Sequence, residues 1–124
     1  MGENNKKILV FKIKNKEIYL DKVLVDFYCL PLYFVCKDED EKYYMALCTD
    51  TICYQYVLVS VSEMDLYLLL NGKLPMRDII LKQEKYWEIM EDEDGDSVEL
   101  LKMSSIIKKN LPKEGAVFKI LTED

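Results

Sequence analysis

The first sixty residues leave almost no room for a crossover connection, and this limits the fold more than any other feature of the chain. Segments rich in β-branched and aromatic residues follow one another with links of only a few residues. Parallel strands need a connection of about a dozen residues or more. The pattern therefore predicts an antiparallel meander. Its predicted strands span 8–14, 17–27, 28–37, 43–50 and 53–61.

The next stretch, "VSEMDLYLLLNGKLPMRD" (61–78), predicts two consecutive helices. Ser62 is a good N-cap, and Asp65 three residues later approximates a capping box. Gly72 stands where the end of a helix favours a left-handed residue, and Pro75 suits the first turn of another helix. We expect the two helices to pack together on one face of the sheet. Their predicted spans are about 62–71 and 75–81.

Beyond residue 85 the pattern returns to strands. Asp94-Gly95 is a strong hairpin signal between two strand-like segments. The segments predicted here are strands over 85–92 and 97–103, a helical turn over 104–112 and a last strand over 115–121. The whole chain, 1–124, is therefore expected to be a single α+β domain with five to seven strands in a mainly antiparallel sheet. The ends, 1–7 and 122–124, are expected to be flexible.

The composition excludes several classes of chemistry. Histidine is absent, which removes His-dependent acid–base catalysis and Ser–His or Cys–His dyads within one chain. The four glycines are isolated, so there is no phosphate-binding glycine motif and no cofactor is predicted. The net charge is −6, and the second helix offers only Arg77 and Lys82 to a DNA groove. We therefore predict a protein that is neither an enzyme nor a nucleic-acid binder.

Four cysteines lie within a short part of the chain, but their spacing does not suit zinc. The gaps between them are six, eleven and four residues, whereas zinc ligands come in close pairs. All four sit in apolar runs, so we expect buried free thiols rather than a metal site or disulfides. They are Cys29, Cys36, Cys48 and Cys53.

The longest apolar stretch, 23–36, is too short for a membrane span and is interrupted by Asp26 and Pro31. No secretory signal is recognised at the start of the sequence. The expectation is a soluble protein of the cytoplasm, or of the host cytoplasm if a phage encodes it, with no membrane partner.

Two acidic runs, 38–41 and 91–96, are candidate binding sites for a divalent cation. Asp92, Asp94 and Asp96 fit the first three ligand positions of an EF-hand loop, but Ser97 and Met103 occupy the positions of its glycine and closing glutamate. We therefore favour two solvated turns. A metal-dependent hydrolase using the 91–96 turn is the less favoured alternative.

Tyrosine is the positive signal: the chain has nine, of which eight lie between residues 28 and 86. Exposed tyrosines anchor protein interfaces, and acidic turns steer toward a basic partner, although core packing could absorb many of these rings. The sequence therefore predicts a protein-binding surface on the hairpin formed by 43–50 and 53–61 and on the turn before it. The candidate residues are Tyr43, Tyr44, Tyr54, Tyr56, Asp38, Glu39, Asp40 and Glu41.

The strand "CYQYVLVSV" (53–61) is apolar on both of its alternating faces. Either it is a central strand covered on both sides, or one face is an interface. Two helices cover only one face, so the second reading predicts that Tyr54, Tyr56 and Leu58, or Val57 and Val59, are buried against a second copy in a homodimer.

Residues 58–80 resemble a family of small uncharacterised bacterial and phage proteins that share a strand, a "VSE…L" helix and "G-K-x-x-x-R-D" before a second short helix. The matching residues are Val61, Ser62, Glu63, Leu66, Gly72, Lys73, Arg77 and Asp78. They are cap and turn residues, so the resemblance implies a fold and no catalytic residue.

The function expected from these features is a non-enzymatic module that binds another protein. A phage-encoded inhibitor of a host defence protein would have these properties. The alternatives are a toxin immunity protein and a structural, homo-oligomeric accessory protein. DNA mimicry is a variant that needs carboxylates spaced along a surface, whereas these carboxylates cluster at two turns.

Overall fold

The computed structural model describes residues 7–28, 30–52, 54–92 and 95–118. Within them the chain forms seven strands, two α-helices and two 3₁₀ turns. The strands are β1 (Leu9–Ile13), β2 (Lys16–Phe27), β3 (Leu30–Asp38), β4 (Tyr43–Asp50), β5 (Gln55–Val61), β6 (Lys85–Asp92) and β7 (Gly95–Lys102). The helices are α1 (Glu63–Leu70) and α2 (Met76–Leu81), and the 3₁₀ turns span Met103–Ser105 and Lys108–Asn110.

All seven strands belong to one sheet, in which each is antiparallel to the next and the spatial order follows the chain. The prediction of a mainly antiparallel sheet with two helices is confirmed. The expectation of a simple meander is corrected, because the sheet curls into a half-barrel.

Aromatic contacts between distant strands show how strongly the sheet curls. The Phe11 ring on β1 lies 5.2 Å from the Tyr56 ring on β5 and 6.1 Å from the Phe34 ring on β3. In a flat sheet β1 and β5 would be four strand spacings apart, or about 19 Å. The sheet therefore bends until β1 lies over the strands in its middle.

Curling gives the sheet two buried faces. The first cluster holds Val57 and Val59 of β5 together with residues of the helices, and the second holds Tyr56 and Leu58 of β5 together with Phe11. Both faces of β5 are therefore covered within one chain. The expectation that one face of β5 would be left uncovered for a second copy is wrong, since the apolar residues on both of its faces are buried within the chain.

The first helix begins and ends as its sequence predicts. The Ser62 side chain accepts a hydrogen bond from the Asp65 N–H at 3.1 Å. Gly72 has φ +72°, and its N–H and that of Lys73 donate to the carbonyls of Leu69 and Leu68 at 3.0 and 2.8 Å. These two bonds form a Schellman motif, which explains the glycine.

Pro75 differs slightly from its prediction, because it is the N-cap of α2 and not a residue of its first turn. The chain beyond β7 also returns to this helix. The Met76 N–H donates to the Ala116 carbonyl at 2.9 Å, and the Arg77 guanidinium donates to the Lys108 carbonyl at 2.7 Å. Leu111 belongs to the first core cluster. The C-terminal segment is therefore tied to α2.

The predicted last strand, 115–121, is wrong over 115–118, where the backbone is irregular, and its remainder lies outside the described residues. The strand predicted over 97–103 begins earlier, at Gly95, which lies opposite Asp92. Asp94 of the predicted hairpin turn is outside the described residues, as are the predicted flexible ends except Lys7. The helical turn predicted over 104–112 is two 3₁₀ turns.

The two cysteines that the structure describes are free thiols: Cys36 is buried and Cys48 is half-buried. Burial raises the pKa of the Cys36 thiol above its ordinary value, which keeps it in the unreactive protonated form. Cys29 and Cys53 lie outside the described residues. Among the described helices, none has the length and apolar character needed to cross a membrane.

The contribution of the second core to stability can be tested by replacing one buried and one exposed tyrosine, Tyr56 and Tyr67. Tyr56 is 7% exposed between Phe11 and Phe34, whereas Tyr67 is 60% exposed on α1. We expect Tyr56→Ala to lower the free energy of unfolding by about 3 to 5 kcal/mol through lost burial and a cavity. Tyr67→Ala should change it by only about 0.5 kcal/mol. Urea denaturation measures both, and equal effects would contradict the curled core.

Candidate functional site

The half-barrel has an open side between its first and last strands. β1 and β7 are the two ends of the sheet and are not paired with each other. The gap between them contains a cavity of about 720 Å³, which we call the seam cavity. Its lining residues are Ile13, Lys14, Asn15, Lys16, Ile18, Glu39, Asp40, Tyr44, Trp87, Val98 and Leu100. A largely apolar cavity with a few polar groups is the usual form of a binding site.

The cavity joins the second core cluster to solvent. Ile18 and Tyr44 are buried members of that cluster, and Trp87 packs against it with its ring 6.0 Å from the Tyr44 ring. Val98 and Leu100 of β7 are 37% and 50% exposed. The cavity therefore has an aromatic and aliphatic floor and one exposed apolar wall on an edge strand.

The wall follows from the pairing of β6 with β7. Leu100 lies opposite Trp87, and Val98 lies opposite Ile89. Directly opposite residues share a face of the sheet. Val98 and Leu100 are thus on the face of the second core, but in the part of the chain that the structure describes no strand lies beyond β7 to cover them.

Two turns carry the charged rim of the cavity. Lys14 comes from the connection between β1 and β2, and Lys16 follows it as the first residue of β2. Glu39 and Asp40 come from the connection between β3 and β4. All but Lys16 are largely exposed. The rim therefore presents both signs of charge above an apolar floor.

A buried carboxylate holds the second of these turns in place. Asp38 is 4% exposed, and its Oδ1 accepts hydrogen bonds from the N–H groups of Asp40 at 2.8 Å and Lys42 at 3.0 Å. Its Oδ2 accepts a hydrogen bond from the Tyr44 hydroxyl at 2.7 Å and lies 3.4 Å from Lys16 Nζ. Every oxygen of this carboxylate is satisfied, so the turn between β3 and β4 is built around it.

The same contacts determine the charge state of the pair. Burial alone would raise the pKa of Asp38, but the hydrogen bonds from Tyr44, Lys42, Asp40 and Lys16 outweigh it and hold the pKa below its ordinary value. Burial and the hydrogen bond to Asp38 raise the pKa of Tyr44. Asp38 is therefore an anion and Tyr44 a neutral donor at neutral pH. This arrangement positions the rim of the cavity.

The predicted partner-binding residues separate in the structure. Tyr44, Glu39 and Asp40 line the seam cavity, Asp38 lies behind them, and Glu41 is exposed in the same turn with φ +64°.

Tyr44 is also a buried member of the second core cluster, and two more of the predicted tyrosines belong to the cores without lining the cavity. Tyr43 packs against the first cluster on the opposite face, with Lys37 over its ring, and Tyr56 is buried in the second cluster.

The four predicted tyrosines do not form one group. Tyr44 lies opposite Ser60, whereas Tyr56 lies opposite Cys48, four residues further along β4. At about 3.3 Å per residue, the two are about 13 Å apart along the strand. Tyr54, which is half-exposed with φ +49°, is at the far end with Tyr56. The idea of a single tyrosine cluster on this hairpin is corrected.

Sequence reasoning missed the residues of the wall and floor, above all Trp87, Val98 and Leu100. A signal for them existed in the hairpin at Asp94-Gly95. Once that hairpin fixes the register, alternation places Val98 and Leu100 on the face of Trp87. What the sequence does not show is that this face is left open at the edge.

No group of three or more His, Cys, Asp or Glu side chains suited to a metal ion occurs among the residues that the structure describes. The side chains of Asp92, Asp94 and Asp96 lie outside that part, so the 91–96 turn stays an untested alternative.

Comparisons with models of protein families, with curated proteins and with solved structures give no match to this chain. The resemblance over 58–80 stays a prediction. Inference about function therefore depends on the geometry of the seam cavity.

The hydrogen bond between Tyr44 and Asp38 can be tested by removing one hydroxyl. Tyr44→Phe leaves Oδ2 of the buried Asp38 carboxylate with only the Lys16 contact at 3.4 Å, which we expect to lower the free energy of unfolding by about 1 to 3 kcal/mol. Tyr43→Phe, on the neighbouring half-buried residue, should change it by about 0.5 kcal/mol or less. Denaturant unfolding of the two variants checks this, and a neutral Tyr44→Phe would contradict the role of the pair.

Acid stability provides an independent test of Asp38. Its pKa is lower in the folded state than the ordinary value of about 3.9, so the unfolded state binds a proton more readily. The stability it contributes is complete above that value and is lost as pH falls through the lowered pKa. We expect Asp38→Asn to flatten the fall in unfolding free energy below about pH 4. Equal slopes in the wild type and Asp38→Asn would contradict this.

Proposed function

We propose that the protein is a non-enzymatic module that binds another protein through the seam cavity and the edge of β7. The observation that carries this proposal is the exposure of Val98 and Leu100 beside a cavity floored by Tyr44 and Trp87. An exposed apolar wall with aromatic residues and a polar rim is typical of surfaces that bind partners.

The position of the helices supports the choice of the seam-cavity face of the sheet as the binding surface. Buried residues of α1 and α2 belong to the first cluster, on the face of the sheet opposite the seam cavity. We infer that the helical pair covers that face, so the partner would be bound on the other one. The helical residues in the cluster are Leu66, Leu69, Ile79 and Ile80.

Charge supports a basic partner. The chain has a net charge of −6, and Glu39 and Asp40 stand at the cavity rim. Complementary charge accelerates association and selects among partners more than it raises affinity. An inhibitor of a host defence protein encoded by a phage is the biological setting we propose, with a toxin immunity protein as the alternative.

Comparative capture from the native host tests the proposal. Three forms of the chain are immobilised in parallel: the wild type, Leu100→Glu and Met64→Glu. Leu100 is in the wall of the seam cavity, whereas Met64 is an exposed apolar residue of α1 and serves as the control. We expect a protein that the wild type and Met64→Glu retain and that Leu100→Glu loses, because a carboxylate in the wall would be desolvated on binding. The circular dichroism of each variant controls for folding.

Two results would contradict this proposal. One is a captured protein that all three forms of the chain retain equally, which would place its binding surface elsewhere. The other is turnover in hydrolase screens with added magnesium or manganese, which would make the module an enzyme.

A further inference from the structure

We propose that the outer edge of β7 accepts an extended segment of another protein as an eighth strand, with an apolar side chain in the seam cavity and a basic side chain beside Glu99. This inference rests on the proposed function and specifies the chemistry of its partner. It is carried by the backbone of β7, by the position of its side chains and by its charges.

The hydrogen-bond phase of the hairpin shows which residues of β7 direct their backbone groups outward. The Met103 N–H donates to the Glu84 carbonyl at 2.9 Å, so Glu84 and Met103 are a hydrogen-bonded pair. This pair is next to the pair that Lys85 forms with Lys102. Hydrogen-bonded and non-hydrogen-bonded pairs alternate along an antiparallel ladder. When the pairs are counted back from the hydrogen-bonded pair at Met103, those of Leu100 and Val98 are both non-hydrogen-bonded. Their N–H and C=O groups therefore point away from β6.

The same two residues form the apolar wall of the seam cavity. A strand added at this edge would bond to Val98 and Leu100, and its residues opposite them would lie on the cavity face. An added strand in this single position would therefore both pair its backbone with β7 and fill the cavity. Strand addition of this kind obtains affinity from the backbone and selectivity from alternate side chains.

The other edge of the sheet is less suited to this role. β1 is five residues long, and its pairing with β2 shifts register between Leu9 and Phe11. Bulges and short length are features that discourage strand addition. β7 is eight residues long and pairs with β6 with no register shift. The longer, regular edge is therefore the one we assign to the partner.

Charge indicates a basic residue in the added strand. Glu99 lies directly opposite Glu88, and like charges in that position repel. Glu88 Oε2 accepts a hydrogen bond from the Gln55 side chain at 2.9 Å, but no cationic side chain among the described residues forms an ion pair with either glutamate. A lysine or arginine opposite Glu99 would relieve this repulsion.

A second copy of the chain fits this edge less well. It would bring another net charge of −6 and its own Glu88 and Glu99 to the same place. In a two-fold pairing centred on Glu99, four carboxylates would stand in one row across the sheet. The charges therefore favour a basic segment of a different protein.

Trp87 allows a direct test, because it is the single tryptophan of the chain and lines the seam cavity. The probe is an acetylated and amidated heptapeptide with isoleucine at its third and fifth positions, lysine at its fourth and threonine elsewhere. One control replaces the lysine with glutamate. The other carries N-methyl groups on both isoleucines, which removes the donors that would bond to β7. Each is titrated against the wild-type chain while Trp87 fluorescence is followed.

We expect the lysine peptide to change Trp87 fluorescence to saturation and the glutamate peptide to bind about fivefold more weakly or worse. The N-methylated peptide should give no saturating change. In the protein, Leu100→Glu should abolish the response and Met64→Glu should retain it. Because the three peptides are compared on the wild-type chain, the test holds even if Leu100→Glu does not fold.

Three results would overturn strand addition. The first is no saturating response to the lysine peptide at millimolar concentration, and the second is equal binding of the N-methylated peptide. The third is a wild-type mass near twice 14.7 kDa by light scattering that Leu100→Glu halves, which would make the occupant a second copy. If capture from the host still depends on Leu100, the proposed function stands and only the mode of binding is wrong.

Discussion

The packing of Phe11 against Tyr56 and Phe34 is the interaction on which the rest of the structure depends. Without it, the face of the sheet that carries the second core cluster would lie open. The long strand β2 brings Phe11 within reach of these two rings. Its pairing with β3 shifts register at three places, the first between Leu20 and Lys22. Bulges bend a strand and increase its twist. The irregular β2 thus folds β1 over the centre of the sheet, and the aromatic contacts stabilise the result.

The curl alone does not define a binding site, since its open side must also have fixed walls. Asp38 supplies one of them by organising the turn that carries Glu39 and Asp40. Its bond to Tyr44 links that turn to the second core, and Lys16 links it to the turn between β1 and β2. A single buried carboxylate therefore connects both charged turns of the rim to the cavity floor. A buried charge is tolerated there because each of its oxygens has donors.

Local signals in the sequence predicted local structure well. The cap at Ser62, the left-handed Gly72 and most strand boundaries follow from propensity and turn chemistry. The curl was not predictable in this way, because the shifts in β2 depend on how three strands pack and no turn residue marks them. Segment 115–118 shows the converse: its pattern is apolar, but it does not pair in a sheet, and its Ala116 carbonyl instead accepts a hydrogen bond from the Met76 N–H of α2. The alternation of apolar and polar residues also does not show which face of an edge strand is exposed.

The tyrosines show that abundance in composition does not by itself indicate exposure. A tyrosine can be buried when its hydroxyl has a partner, as Tyr33 has in the Met76 carbonyl at 2.8 Å and Tyr44 has in Asp38. Such residues tie the sheet to α2 and to the rim, so their abundance reflects the two cores. The surface that we propose for the partner is formed instead by aliphatic residues of β7. Their exposure results from the one strand pairing that the half-barrel lacks, between β1 and β7. A chain that curls this far without closing leaves backbone donors and acceptors beside an apolar cavity, and the strand that we propose to be added there would satisfy both.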